Sequence, residues 1–128
     1  MTILGNGVDI INNRRIGKAI KNKKFVQKIF TTSEIKQSEN KYNKINHFAK
    51  RFAAKEAFLK ALGTGLSNGL SFKDISIKND KYGKPKIYIS NKLKSFLVKK
   101  FKTKKIDIFL SLSDEKDNSI AFVILNKK

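Results

Sequence analysis

The sequence predicts an α+β fold: a compact antiparallel sheet with a long central helix, in a single domain over residues 1–128. Three observations carry that expectation. Residues 45–62 place apolar side chains at helical spacing and are rich in strong helix formers. Short β-branched runs recur at 2–11, 71–78, 86–89, 106–113 and 119–125. The segments 79–85 and 114–118, rich in Asn, Asp and Gly, join neighbouring runs as hairpin turns. Strands and helices in that order suit a mixed layer with antiparallel pairing.

Residues 2–11 (TILGNGVDII) read as a strand, interrupted or bulged near Gly5 and Gly7. Residues 13–30 carry Ile16, Ala19, Ile20, Val26, Ile29 and Phe30 at helical spacing, with a break at Asn22–Lys24. Thr31-Thr32-Ser33-Glu34 opens another helix, where hydroxyl caps and an acidic first turn suit the helix dipole. After a polar connection at 40–46, the long helix uses Ile45, Phe48, Phe52, Leu59 and Leu62 as its apolar stripe and stops at Gly63-Thr64-Gly65. The run 71–78 places Phe72, Ile75 and Ile77 in a strand, and 90–100 forms a basic amphipathic helix.

With 29 Lys plus Arg against 10 Asp plus Glu, the chain carries a formal charge of +19. Such a field attracts polyanions, acidic proteins or phosphorylated ligands. Nearly all of the excess is lysine, and Asn and Ile are abundant too, so codon bias in an AT-rich genome explains the same composition. The absence of cysteine excludes disulfides and thiol chemistry, and one histidine, His47, leaves no histidine metal cluster. No apolar run approaches a membrane span and the start has no leader character, so a cytoplasmic protein is expected. Basic strands interleaved with aromatic residues for base stacking are missing, so no nucleic-acid partner is expected.

Two carboxylates break apolar patterns. Asp9 interrupts Val8, Ile10 and Ile11, and Glu56 sits beside the stripe of the long helix, as does Lys55. Asp9 reads either as a turn or cap residue at the strand end or as a functional acid, and Lys55 and Glu56 read either as a local ion pair, or a snorkelling lysine, or as site residues. Two such acids converging on a hard cation would suffice for magnesium, which takes few carboxylates beside water and phosphate. Gly63-Thr64-Gly65 follows a helix bearing Arg51, Lys55 and Lys60, an arrangement that cradles phosphate or simply caps a helix. Arg14, Arg15, Lys18 and Lys21 form a basic helical face, either solvated or open to an acidic protein.

The strings GVDIINNRRI (7–16), FTTSEI (30–35), RFAAKEAFLKALGTG (51–65), GLSFKDISIKND (69–80), GKP (83–85) and SLS (111–113), in that order, resemble the holo-[acyl-carrier-protein] synthase family of 4′-phosphopantetheinyl transferases. The resemblance implies transfer of 4′-phosphopantetheine from coenzyme A to a serine of an acidic acyl carrier protein. It implies Asp9 and Glu56 as ligands of magnesium, with manganese an alternative. Arg51, Lys55, Lys60 and the loop Gly63, Thr64, Gly65 fall on the coenzyme A phosphate region, and Gly83 and Pro85 on a turn that lines the site from a neighbouring subunit of a homotrimer. Arg15 falls in the carrier-binding helix with Arg14, Lys18 and Lys21. Phe109 and Asp114 depart from the pattern, since many members carry histidine at those positions. In the implied mechanism Glu56, directly or through metal-bound water, is the base for the serine, and Lys60 joins it as a catalytic cation beside the phosphates.

Overall fold

A computed structural model of the chain describes residues 2–128. Strand β1 (Thr2–Asn12) leads into three short helices, α1 (Asn13–Ala19), α2 (Lys23–Ile29) and α3 (Thr32–Ser38), and then into the 19-residue helix α4 (Lys44–Leu62). A single 3₁₀ turn (Phe72–Asp74) precedes β2 (Ile75–Asn79) and β3 (Pro85–Ile89). Helix α5 (Asn91–Phe101) and the strands β4 (Ile106–Asp114) and β5 (Asn118–Lys127) complete the chain. Among the described residues no helix is long and apolar enough to cross a membrane.

Local chemistry explains the boundaries. Asn12 caps α1 through its side chain, Asn22 caps α2, and Thr31 with Glu34 forms a reciprocal capping box on α3. Gly63 closes α4 at φ 85°, a left-handed conformation that a side chain would oppose.

The antiparallel pairing expected as one sheet divides into two. One sheet has the order β1-β5-β4, and β2 pairs only with β3. The strand expected over 71–78 begins at Ile75, because the Asp74 carboxylate accepts from the Ser71 N–H at 2.7 Å and winds 71–74 into a turn.

Helix α4 lies across the inner face of the larger sheet; of the expected stripe Phe48 and Leu62 are buried and Phe52 and Leu59 pack against the core, while the contact with β1 is made by alanines. Ala49, Ala53, Ala57 and Ala61, at every fourth position, are 0–5% exposed, whereas Ile45 is an exposed residue. The reason lies in β1. A Cβ added at Gly7 would fall on the Ala57 carbonyl oxygen, and one added at Gly5 on that of Ala61. Glycine on the strand and alanine on the helix let the two backbones touch, so small residues make this contact beside the larger ones of the stripe.

Candidate active site

The β1–α4 contact brings Asp9 and Glu56 together. Gly5, Gly7, Asp9 and Ile11 alternate onto the strand face that meets the helix, and Ala57, which Gly7 touches, neighbours Glu56 in sequence. Both carboxyl groups have pKa values raised above the ordinary range. For Asp9 burial is the main cause, opposed by Lys60 and Arg15; for Glu56 burial acts first and the charge of Asp9 adds to it. Two carboxylates that each resist ionisation and repel one another form a site that favours a cation. Lys60 partly fills that role, donating to Asp9 Oδ1 at 3.3 Å and to the Val8 carbonyl at 3.0 Å while its side chain stays 56% exposed. The donor set is oxygen only, and no cluster of three or more acidic, His or Cys ligands exists among the described residues. That combination fits a hard divalent ion completed by water and phosphate oxygens.

A second feature opens elsewhere on α4. A cavity of about 560 Å³ lies between the first half of α4, the β2–β3 turn and the end of β4. Its walls include His47, Lys50, Arg51, Gly83, Pro85 and Asp114. Arg51 is 4% exposed, yet no carboxylate lies within salt-bridge distance of it among the described residues. Its contacts are long, 3.4 Å to the His47 carbonyl and 3.5 Å to Gln37 Oε1, and its Nε has no partner. A buried guanidinium held so loosely is suited to an anion. His47 sits 3.0 Å through Nε2 from the Glu34 carbonyl, so that nitrogen carries the proton. Burial, then the nearby Arg51 charge, lower its pKa to about 4, and the ring is neutral.

Arg51 and Glu56 are five residues apart, hence about 140° apart around α4. The carboxylate pair and the cavity therefore face different sides of one helix. Gly63, Thr64 and Gly65 lie past the far end of α4, roughly 25 Å along the axis from Asn46 at the cavity. An added Cβ at Gly63 or Gly65 meets no atom within 4 Å, so the glycines there serve left-handed turns in open space.

The family model of the 4′-phosphopantetheinyl transferase superfamily matches residues 5–123. The chain belongs to this superfamily. It is 51% identical over 128 residues to the holo-[acyl-carrier-protein] synthase of Pelagibacter ubique, covering all of both chains. The solved synthase of Neisseria meningitidis superposes with a TM-score of 0.85 at 37% identity, over 98% of this chain and 100% of that one. That of Bacillus anthracis, solved in complex with CoA (3′,5′-ADP), gives 0.81 at 34% identity over the whole of both.

One residue expected at the transferase's phosphates stands elsewhere. Lys55 is fully buried, and its ammonium meets Glu34 Oε1 at 2.7 Å, the Ile29 carbonyl at 2.7 Å and the Phe72 carbonyl at 3.1 Å. Three acceptors use all three of its protons, so Lys55 is an ion-pair member, though with a distant partner on α3 rather than a local one, and contact with coenzyme A phosphate is not available to it. Arg14, Arg15, Lys18 and Lys21 are exposed on and just after α1, and the Arg15 charge partly opposes the rise that burial imposes on the Asp9 pKa. Asp114 accepts from Asn46 Nδ2 at 2.8 Å and lies 3.7 Å from Lys50 Nζ, bracing one rim of the cavity. Phe109 points to the outer face of the sheet. Sequence reasoning missed His47, Lys50 and Asn46 as cavity residues. The resemblance pointed to Arg51, Gly83 and Pro85 and, as a departure from the pattern, to Asp114, and nothing local marks the others.

Proposed function

We propose that this chain transfers the 4′-phosphopantetheine group of coenzyme A to a serine of apo-acyl carrier protein and releases adenosine 3′,5′-bisphosphate. The observation that carries the reading is the meeting of Asp9 and Glu56 at the β1–α4 contact, two partly buried acids whose pKa values are raised. They would hold magnesium, or manganese, which when bound supplies positive charge to the pyrophosphate oxygens. Lys60, beside Asp9, adds a cation at the same oxygens, and Gly63–Gly65 follows one turn later on the same helix end. Glu56 accepts the proton of the carrier serine as its oxygen bonds to the β-phosphorus and the bond to the leaving nucleotide breaks. Burial and the charge of Asp9 raise its pKa above the ordinary carboxylate value, which suits it to accept a proton. Arg51, buried without a carboxylate partner, and Lys50 suit a phosphate of the nucleotide end, against Gly83 and Pro85.

Because the two halves face different sides of α4, one active site combines the carboxylates of one copy with the cavity of the next. An unusually apolar sheet face supports the assembly this requires. Val8, Ile10, Phe109, Ile120 and Phe122, 39–62% exposed, sit side by side on the outer face of β1-β5-β4. A trimer built around that face buries it. The exposed Arg14, Arg15, Lys18 and Lys21 receive the acidic carrier, near Asp9.

The test is a single-turnover assay in which apo-carrier, coenzyme A and magnesium are mixed with the protein and the carrier is weighed by mass spectrometry. The carrier should gain one phosphopantetheine, and Asp9→Ala or Glu56→Ala should abolish the gain. A carrier of unchanged mass with magnesium and with manganese would overturn the reading. Sedimentation should give a trimer that Phe122→Glu dissociates.

A further inference from the structure

Glu34 bonds to the two elements that carry opposite walls of the cavity, α4 and β2, without lining it. From α3, its backbone carbonyl accepts from His47 Nε2 at 3.0 Å, on the α4 wall. Its carboxylate reaches the strand that carries the other wall, accepting the Ile77 N–H at 2.8 Å in β2, two residues before the cavity residue Asn79. The other carboxylate oxygen takes Lys55 Nζ at 2.7 Å and the Thr31 N–H at 2.9 Å. Lys55 then spends its remaining protons on Ile29 and Phe72, the segments leading into α3 and β2. Thr31 Oγ1 and Ser76 Oγ, 3.1 Å apart, repeat the link between α3 and β2.

A buried ion pair is a poor source of stability, since apolar residues of the same volume often hold a core as well. Hydrogen bonds differ from such packing in being directional, so they fix where one segment lies along another. The carboxylate pair at Asp9 and Glu56 needs no such device, because the glycine and alanine backbones in contact already set it.

We propose that Glu34, held in place by Lys55, is a positioning residue for coenzyme A: it sets the separation between the cavity wall carrying His47 and Arg51 and the wall carrying Asn79, Gly83 and Pro85. The inference rests on the reading of that cavity as the seat of the nucleotide end. It divides the control of the site in two, with Glu34 and Lys55 governing the affinity for coenzyme A and the β1–α4 contact governing the chemical step.

The experiment compares four variants by steady-state kinetics. Lys55→Met with Glu34→Gln removes both charges together, so neither is stranded. Glu34→Asp keeps the charge and draws the carboxylate back by one methylene, which preserves folding if the first variant fails. Leu97→Ala, at a core position 1% exposed and away from the cavity, controls for general loss of stability. Arg51→Gln controls for the cavity reading. The KM for coenzyme A should rise about ten-fold in both Glu34 variants, as expected from the loss of directed hydrogen bonds. kcat and the carrier KM should stay within about two-fold, the signature of binding lost equally from the ground state and the transition state. A coenzyme A KM that is unchanged in both, or that rises as much in Leu97→Ala, overturns the proposal while leaving the cavity reading intact if Arg51→Gln still raises it. A fall in kcat with KM unchanged also overturns it. No rise in Arg51→Gln removes the cavity reading, and the proposal with it.

Discussion

Gly7→Ala tests whether backbone contact shapes the carboxylate site. Besides meeting the Ala57 carbonyl oxygen, the added methyl would stand 2.7 Å from the Ala61 nitrogen and 3.0 Å from Lys60 Cβ. The first two are backbone atoms of α4, so no rotamer change relieves the contact. Strand and helix must separate by on the order of 1 Å to regain van der Waals distances. Overpacking of this kind costs about 1–3 kcal/mol. For a chain of this length each kcal/mol lowers Tm by about 4 °C, giving a fall of roughly 4–12 °C. Asp9, two residues further along β1, moves with the strand while Glu56 stays with the helix. A misplacement of about 1 Å costs on the order of 100-fold in rate. Calorimetry and single-turnover transfer measure the two effects on one preparation. Gly17→Ala is the control, because its added Cβ meets only the flexible end of Ile45 at 3.0 Å. A Gly7→Ala protein with the wild-type Tm and transfer rate would refute the argument.

Lys55→Met alone strands the Glu34 carboxylate in the core and should cost about 3–5 kcal/mol in urea denaturation, whereas a loss below about 1 kcal/mol would mean that water or another cation reaches Glu34. In metal-free protein the folded pKa values of Asp9 and Glu56 lie above 3.8 and 4.5, so the unfolded chain releases these protons first as pH rises. Their contribution to stability is therefore whole below those ordinary values and is lost as pH climbs through the raised ones. Asp9→Asn with Glu56→Gln should flatten that decline and melt higher than wild type at pH 7 without metal; a lower Tm would contradict the sign. Arg15→Glu should raise the carrier KM more than Lys94→Glu does, most strongly at low salt, and equal penalties would show that only total charge matters.

The helices were legible because their signals are local. Asn22 stops one helix and caps the next, and Thr31 with Glu34 closes a capping box within four residues. The apolar stripe of α4 was right except at Ile45, but the alanine surface beside it was missed, because hydrophobicity ranks Ile45 above alanine while Gly5 and Gly7, some fifty residues away, decide the contact with β1. The 71–74 turn carried a local signal, Ser71 with an acid three residues on, but the apolar Phe72 disguised it. Asp9 and Glu56 stood out as acids against apolar patterns. The partner of Lys55 did not, since an ion pair across 21 residues leaves no mark in either segment. Cavity residues came from α4, the β2–β3 turn and β4, a convergence that only the folded chain supplies.

The angle of about 140° between Arg51 and Glu56 around α4 has a genetic consequence. If every site draws on two copies, then a defect in one half and a defect in the other need not be inherited as the same lesion. A Glu56→Gln chain retains an intact cavity, and an Arg51→Gln chain retains intact carboxylates. Co-expressed, the two inactive alleles should assemble mixed rings in which some junctions pair a sound half with a sound half. Partial activity would return from two proteins that have none alone, whereas two alleles damaged in the same half would stay silent together.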